Sequence, residues 1–95
     1  MSQGRRHRTM HLEIAWLANE TGHPRLGLIV PKFQSNAVAR NRLRRRLKEI
    51  WRREGLPHLS PLDIVVRTRP ATYTARASDL KAEVLGWMAS KGSAR

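Results

Sequence analysis

Apolar and polar residues alternate from Met10 to Trp16, with Met10, Leu12, Ile14 and Trp16 on one face. A period of two predicts a strand with one buried face over residues 10–18. Residues 19–24 hold Asn, Gly and Pro and read as a turn. Residues 25–30 read as a second strand, and Pro31 ends its ladder. The short link between the two predicts an antiparallel hairpin. The period then changes. Leu43, Leu47, Ile50 and Trp51 recur at i, i+4, i+7 and i+8, an apolar stripe of roughly 100° along a helix. Asn36 or Ser35 can cap this helix, with Asn36 the better fit to the period. Gly55 and Pro57 are expected to stop it. Residues 63–69 form a third strand closed by Pro70, and Ser78 caps a last helix in which Leu80, Val84, Trp87 and Met88 share a face. Trp16, Trp51 and Trp87 all occupy apolar-face positions and are expected in the core. The order β-β-α-β-α predicts a small α+β sandwich, a sheet with its helices packed on one face. Residues 10–91 read as a single domain, residues 1–9 as a flexible basic arm, and residues 92–95 as a tail.

Charge changes the meaning of the first helix. Lys and Arg number 19 against 7 Asp and Glu, a net charge of +12, and 15 of the 19 are arginine. Eight basic residues fall between Arg40 and Arg53. Arg42, Arg44, Arg45, Arg46, Lys48, Arg52 and Arg53 fan across the arc opposite the stripe, and Asn41 sits among them. An ordinary solvated face mixes signs to gain i,i+4 pairs. This one has Glu49 and Glu54 alone, so adjacent arginines repel unless a polyanion neutralises them. Arginine pairs with phosphate through a planar fork, which points to nucleic acid.

No pattern for catalysis by the chain itself is visible. His7, His11, His23 and His58 lack metal-site spacing and read as surface or RNA-facing. The carboxylates Glu13, Glu20, Glu49, Glu54, Asp63, Asp79 and Glu83 do not cluster, so neither a catalytic residue nor a metal site is expected in the protein. Asp79 and Glu83 sit where a helix macrodipole favours them. The chain has no cysteine, which fits a reducing compartment. No apolar run approaches the roughly 20 residues that span a bilayer, and the basic N-terminus lacks the apolar segment of a signal peptide. A cytoplasmic protein without membrane contact is expected.

The segment Arg40-Asn41-Arg42-Leu43-Arg44-Arg45, entered from Lys32-Phe33-Gln34-Ser35-Asn36-Ala37-Val38, resembles the signature of the protein subunit of bacterial ribonuclease P. Gly27-Leu28-Ile29-Val30-Pro31-Lys32 resembles the strand that precedes it in that family. Asp63-Ile64-Val65-Val66-Arg67-Thr68-Arg69-Pro70 resembles the family's strand ending in Arg-Pro, and residues 78–88 its last helix. The resemblance implies a fold that the family shares with a ribosomal-protein domain, including a left-handed β-α-β crossover, an exception to the usual hand. It implies a non-catalytic partner of a catalytic RNA. The holoenzyme removes the 5′ leader of precursor tRNA by hydrolysis dependent on Mg²⁺ held mainly by RNA, and the protein itself needs no cofactor. Arg40, Asn41, Arg42, Arg44 and Arg45 match the RNA-binding motif and Lys32 matches the basic residue before it. Arg46 and Lys48 extend the face. Phe33 either stacks on a base or the leader, or staples the helix N-terminus. The family carries another helix before the first strand, whose aromatics touch the leader. This chain is expected to be a short form without it, and Ala15 offers no aromatic in its place. Ser35 stands where the family usually has glycine. Arg5, Arg6 and Arg8 can add phosphate contacts.

Two other readings compete. A small ribosomal or general RNA-binding protein uses the same basic-helix logic. A DNA-binding module predicts a helix, not a strand and loop, before the recognition helix, so DNA is not expected as a partner.

Overall fold

The structure is a computed structural model that describes residues 5–31 and 36–93. Its sheet has four strands in the order β1-β2-β4-β3: β1 (Arg5–Arg8), β2 (Leu12–Ala18), β3 (Arg25–Ile29) and β4 (Leu62–Thr68). Two helices, α1 (Ala37–Ile50) and α2 (Ala77–Ser93), complete an α+β architecture. Leu12 and Ile14 of β2 and Leu62, Ile64 and Val66 of β4 point to one side of the sheet. There they form one core with Leu43, Leu47 and Ile50 of α1 and Leu80, Val84 and Trp87 of α2. Among the described residues, no helix covers the other side of the sheet.

The expected hairpin of residues 10–30 does not form. β2 pairs antiparallel with β4, and β3 pairs parallel with β4. β3, α1 and β4 therefore make a β-α-β crossover, and β4 lies between the first two predicted strands. Ile64, Val65 and Val66 are a continuous apolar run suited to an interior strand. The link at residues 19–24 is far longer than a two-residue hairpin turn, and about 20 Å of extended chain readily crosses one intervening strand. Gly22 turns it at a positive φ of 86°. Asn19 fixes it, donating to Asp63 Oδ1 at 2.9 Å and to the His23 carbonyl at 3.2 Å.

The basic stretch expected as a flexible arm contains a strand, since Arg5–Arg8 pairs antiparallel with residues 13–16 of β2. Four polar residues show no amphipathic alternation, so sequence pattern has nothing to detect. Met10, expected on the buried face, is 72% exposed because it lies in the turn between β1 and β2.

Asn36 caps α1, its Oδ1 accepting from the Ala39 amide at 2.8 Å. The helix does not stop at Gly55 through a left-handed cap. It widens into a π-helical turn over Trp51–Gly55, where the Leu56 amide bonds to the Trp51 carbonyl, and a 3₁₀ turn follows over Leu56–His58. Gly55 is needed for space, since a Cβ there would lie 2.7 Å from the Trp51 ring. The buried Trp51 ring packs on Trp87 at 5.4 Å between centroids, and Trp87 meets Trp16 edge-on at 5.2 Å. Trp16 itself is only half-buried.

A 3₁₀ turn over Pro70–Thr74, unseen in the sequence pattern, links β4 to α2. Tyr73 lies on it and donates from its hydroxyl to the Pro31 carbonyl at 2.7 Å. Ser78 is not the cap of α2. The Asp79 carboxylate accepts from the Arg76 amide at 3.3 Å, one turn back, and the helix runs through Gly92.

Gly55→Ala is expected to destabilise the fold by about 1–3 kcal/mol, because the added methyl overpacks the buried Trp51 ring. Thermal unfolding followed by circular dichroism reads this directly. An unchanged midpoint would mean that the turn tolerates a side chain.

Candidate nucleic-acid interface

Two cationic surfaces emerge from this architecture. The first is the outward side of α1. Leu43, Leu47 and Ile50 bind one stripe to the core, and at about 100° per residue Asn41, Arg45 and Lys48 then project away from it. Asn41, Arg42, Arg45 and Lys48 are exposed, whereas Arg44 and Arg46 lie half-buried along the flanks of the stripe. Arg40, three residues before Leu43, shares the angular sector of the stripe and is half-buried. The helix therefore presents Asn41 and every predicted cation from Arg42 to Lys48 outside the stripe, while Arg40 lies on the stripe's own side. At the end of the helix Arg52 of the π-helical turn pairs with Glu49, Nη2 to Oε1 at 2.5 Å. This bond holds the Glu49 carboxyl below its ordinary range. Lys32 and Phe33 lie outside the described residues.

The second surface is the uncovered side of the sheet, and strand register defines it. Partner residues share a face. One row across the sheet is Arg6, Ala15, Val65, Gly27, and the next is Arg8, Glu13, Arg67, Ile29. All of these residues but Gly27 line a groove of about 450 Å³. Its floor is small, its rim is arginine, and Arg8 leans on Glu13 at 3.5 Å. Arg6 and Arg67 make no ion pair with a described residue. Arg5 lies on the opposite face, across from Trp16. Asp63 and Arg25 close one end of the uncovered face by a bidentate pair at 2.7 and 2.8 Å. Hydrogen bonds from Arg25, then from Asn19, lower the Asp63 pKa.

Arg67 is a member of this surface that sequence reading passed over. The signal was present: Leu62, Ile64, Val66 and Thr68 turn inward, so Asp63, Val65 and Arg67 must turn outward. His11 and Glu83 were misjudged in the other direction. His11 is buried, not surface or RNA-facing, and its amide donates to Glu83 Oε1 at 3.0 Å. Its Nδ1 bonds Glu83 Oε2, and the Thr9 hydroxyl bonds Glu83 Oε1. Burial pushes the Glu83 carboxyl up, but these bonds outweigh it and hold it below its ordinary value. Of the other histidines, His7 is half-buried in β1 and His23 and His58 are exposed. Among the described residues, no three His, Asp or Glu side chains converge to hold a metal ion. No described helix is long and apolar enough to cross a membrane.

Fold and surfaces together define a small α+β protein that presents an arginine helix on one side of a sheet and an arginine-rimmed groove on the other. The model of one family, Ribonuclease P, matches residues 1–91. The ribonuclease P protein component of Syntrophobacter fumaroxidans is 42% identical over 83 residues, covering 86% of this chain and 70% of that protein. That of Thermus scotoductus is 43% identical over 82 residues, covering 84% of this chain and 49% of its own length. The chain thus spans between half and about two thirds of these two relatives. The RNase P protein of Staphylococcus aureus superposes with a TM-score of 0.80 at 25% identity, over 92% of this chain and 83% of that one. The chain belongs to the ribonuclease P protein family.

The low pKa of Glu83 sets a sign for acid stability. Its stabilising effect is present above the ordinary carboxylate value of 4.5 and is lost as pH falls through the depressed folded value. The stability gap between the parent protein and Glu83→Gln should therefore narrow as pH falls below about 4.5. Urea unfolding at a series of pH values measures it, and a gap independent of pH would remove the charge of Glu83 from the account.

Proposed function

We propose that this chain is the protein subunit of ribonuclease P, which binds and stabilises the catalytic RNA so that the holoenzyme removes the 5′ leader of precursor tRNA. The observation that supports this most is the exposed band Asn41, Arg42, Arg45 and Lys48, flanked by Arg44 and Arg46, on a helix of a ribonuclease P protein. Uncompensated cations at helical spacing repel one another, and a folded RNA surface resolves the repulsion by supplying phosphates. The guanidinium forks match those phosphates two oxygens at a time. Asn41 both donates and accepts, so it can fix register on a sugar or a base edge. Arg40, half-buried in the first turn of α1, adds charge.

In this reading the protein is non-catalytic. The RNA subunit would hold the Mg²⁺ that supports phosphodiester hydrolysis, and α1 would lower the Mg²⁺ that the RNA needs by neutralising its phosphates. We assign the groove on the open sheet face to the leader of precursor tRNA. Ala15 and Val65 let a single-stranded backbone approach closely, and Arg6, Arg8 and Arg67 meet its phosphates. The partners are thus the catalytic RNA and precursor tRNA, not DNA, and the site of action is the cytoplasm.

The direct test is cleavage of a precursor tRNA by the cognate catalytic RNA at low Mg²⁺, with and without the protein. Stimulation with correct 5′-end formation is expected. Absence of stimulation, with tight binding of unrelated RNAs, would favour a general RNA-binding protein instead. Arg42→Ala combined with Arg45→Ala should weaken binding to the RNA subunit and flatten log K against log salt by up to about 2 in slope. An unchanged slope would remove both arginines from the interface.

A further inference from the structure

β1 is an improbable strand by its own sequence. Arg5, Arg6, His7 and Arg8 form an edge that bonds only to β2. Like charges crowd along it, and two-stranded pairing by so short a segment is marginal. What holds it is the turn that joins it to β2. The Thr9 amide donates to the Leu12 carbonyl at 2.8 Å, and the Leu12 amide returns a bond to the Thr9 hydroxyl at 3.0 Å. Arg69 and Thr72 hold the turn from the end of β4. Arg69 Nη1 donates to the Thr9 carbonyl at 2.9 Å, and the His11 carbonyl accepts from the Arg69 amide at 2.9 Å and the Thr72 hydroxyl at 2.5 Å. Glu83 holds it from α2, with one carboxylate engaging the Thr9 hydroxyl, the His11 amide and the His11 ring. These contacts join residues 72 and 74 positions apart.

The strand leaves this turn in one register. Arg6 falls opposite Ala15 and Arg8 opposite Glu13, so both guanidiniums stand over the open groove beside Arg67. We propose that Glu83 is a positioning residue for RNA recognition: by clasping the Thr9–His11 turn from the helical side of the sheet, it sets Arg6 and Arg8 on the opposite side. The proposal rests on the assignment of that groove to the leader. Glu83 touches no RNA in this scheme. It replaces the flexibility of a basic arm with a fixed pair of cations, so that the ordering cost is met in folding and not in binding.

The test uses the reconstituted holoenzyme and compares precursor tRNA with a leader against mature tRNA, whose affinity ratio isolates the leader. Glu83→Ala and Arg6→Ala are measured singly and together, alongside hydrogen exchange of the β1 amides in the free protein. Expected are faster exchange in β1 with Glu83→Ala, and a reduced leader ratio whose salt slope falls by about 1.4, two single-strand phosphate contacts at about 0.7 each. In that background Arg6→Ala should add little, because the two act on one contact. Affinity for the RNA subunit, which α1 sets, should not move. Unchanged exchange in β1 overturns the clasp, whatever the RNA does. A leader ratio that falls with Arg6→Ala but not with Glu83→Ala, or effects that simply multiply, overturns the positioning role. An Arg6→Ala that leaves the leader ratio intact, with exchange accelerated by Glu83→Ala, overturns the groove assignment itself and the positioning role with it. Should Glu83→Ala fail to fold, Glu83→Gln, which keeps the shape and removes the charge, takes its place.

Discussion

The packing of Trp51 on Trp87 is the contact on which the rest of this molecule depends. A helix with eight basic residues between Arg40 and Arg53 gains little from its own charges, and only its apolar stripe holds it in place. Leu43, Leu47 and Ile50 bury that stripe, and Trp51 ends it by meeting Trp87 of α2 at 5.4 Å. Trp87 in turn meets Trp16 of β2, so the tryptophans link the basic helix, the last helix and the sheet. Gly55 is the accommodation that this arrangement demands, since a methyl there would clash with the Trp51 ring at 2.7 Å.

A small core with a large positive charge must keep its cations apart, and the sheet does so by having two unlike sides. One side takes both helices, with the outward band of α1 beyond them. The other stays open and carries Arg6, Arg8 and Arg67. On the function proposed above, an RNA surface on one side and a single strand on the other would be engaged without competing for the same residues. The separation also explains the polar network at the β1–β2 turn. An arginine strand cannot be held by an apolar contact of its own, so hydrogen bonds to Glu83 and from Arg69 and Thr72 hold the turn beside it.

How much of this was legible in the sequence follows from the range of each interaction. The Leu43, Leu47, Ile50, Trp51 stripe and the Asn36 cap are local, and both were read correctly. So were β4, within one residue at its start, and α2, which begins two residues before the expected position because Ser78 is not its cap. Strand order was not legible, because the insertion of β4 between β2 and β3 is decided by sheet burial, not by the residues of the link. β1 was missed because Arg-Arg-His-Arg has no alternation and its support comes from Glu83, over 70 positions away. His11 looked like the polar side of an alternating strand, yet it lies in the turn, where its ring finds a carboxylate. The outward band of α1 followed from periodicity, and the same periodicity leaves Arg40, named only by the resemblance, on the side of the stripe. The groove was missed in part, although the alternation in β4 placed Arg67 on it.

The division of labour between the two surfaces is the central claim, and the absence of cysteine makes it directly measurable. Val38, 65% exposed on α1, and Val65, 39% exposed on the open face, are each replaced by a single cysteine carrying a short photo-crosslinker in the holoenzyme bound to precursor tRNA. Neither substitution alters charge. Crosslinks from Val38→Cys to the RNA subunit and from Val65→Cys to the 5′ leader are the expected result. Leader crosslinks from Val38→Cys, or none to the leader from Val65→Cys, would contradict the assignment of the two faces.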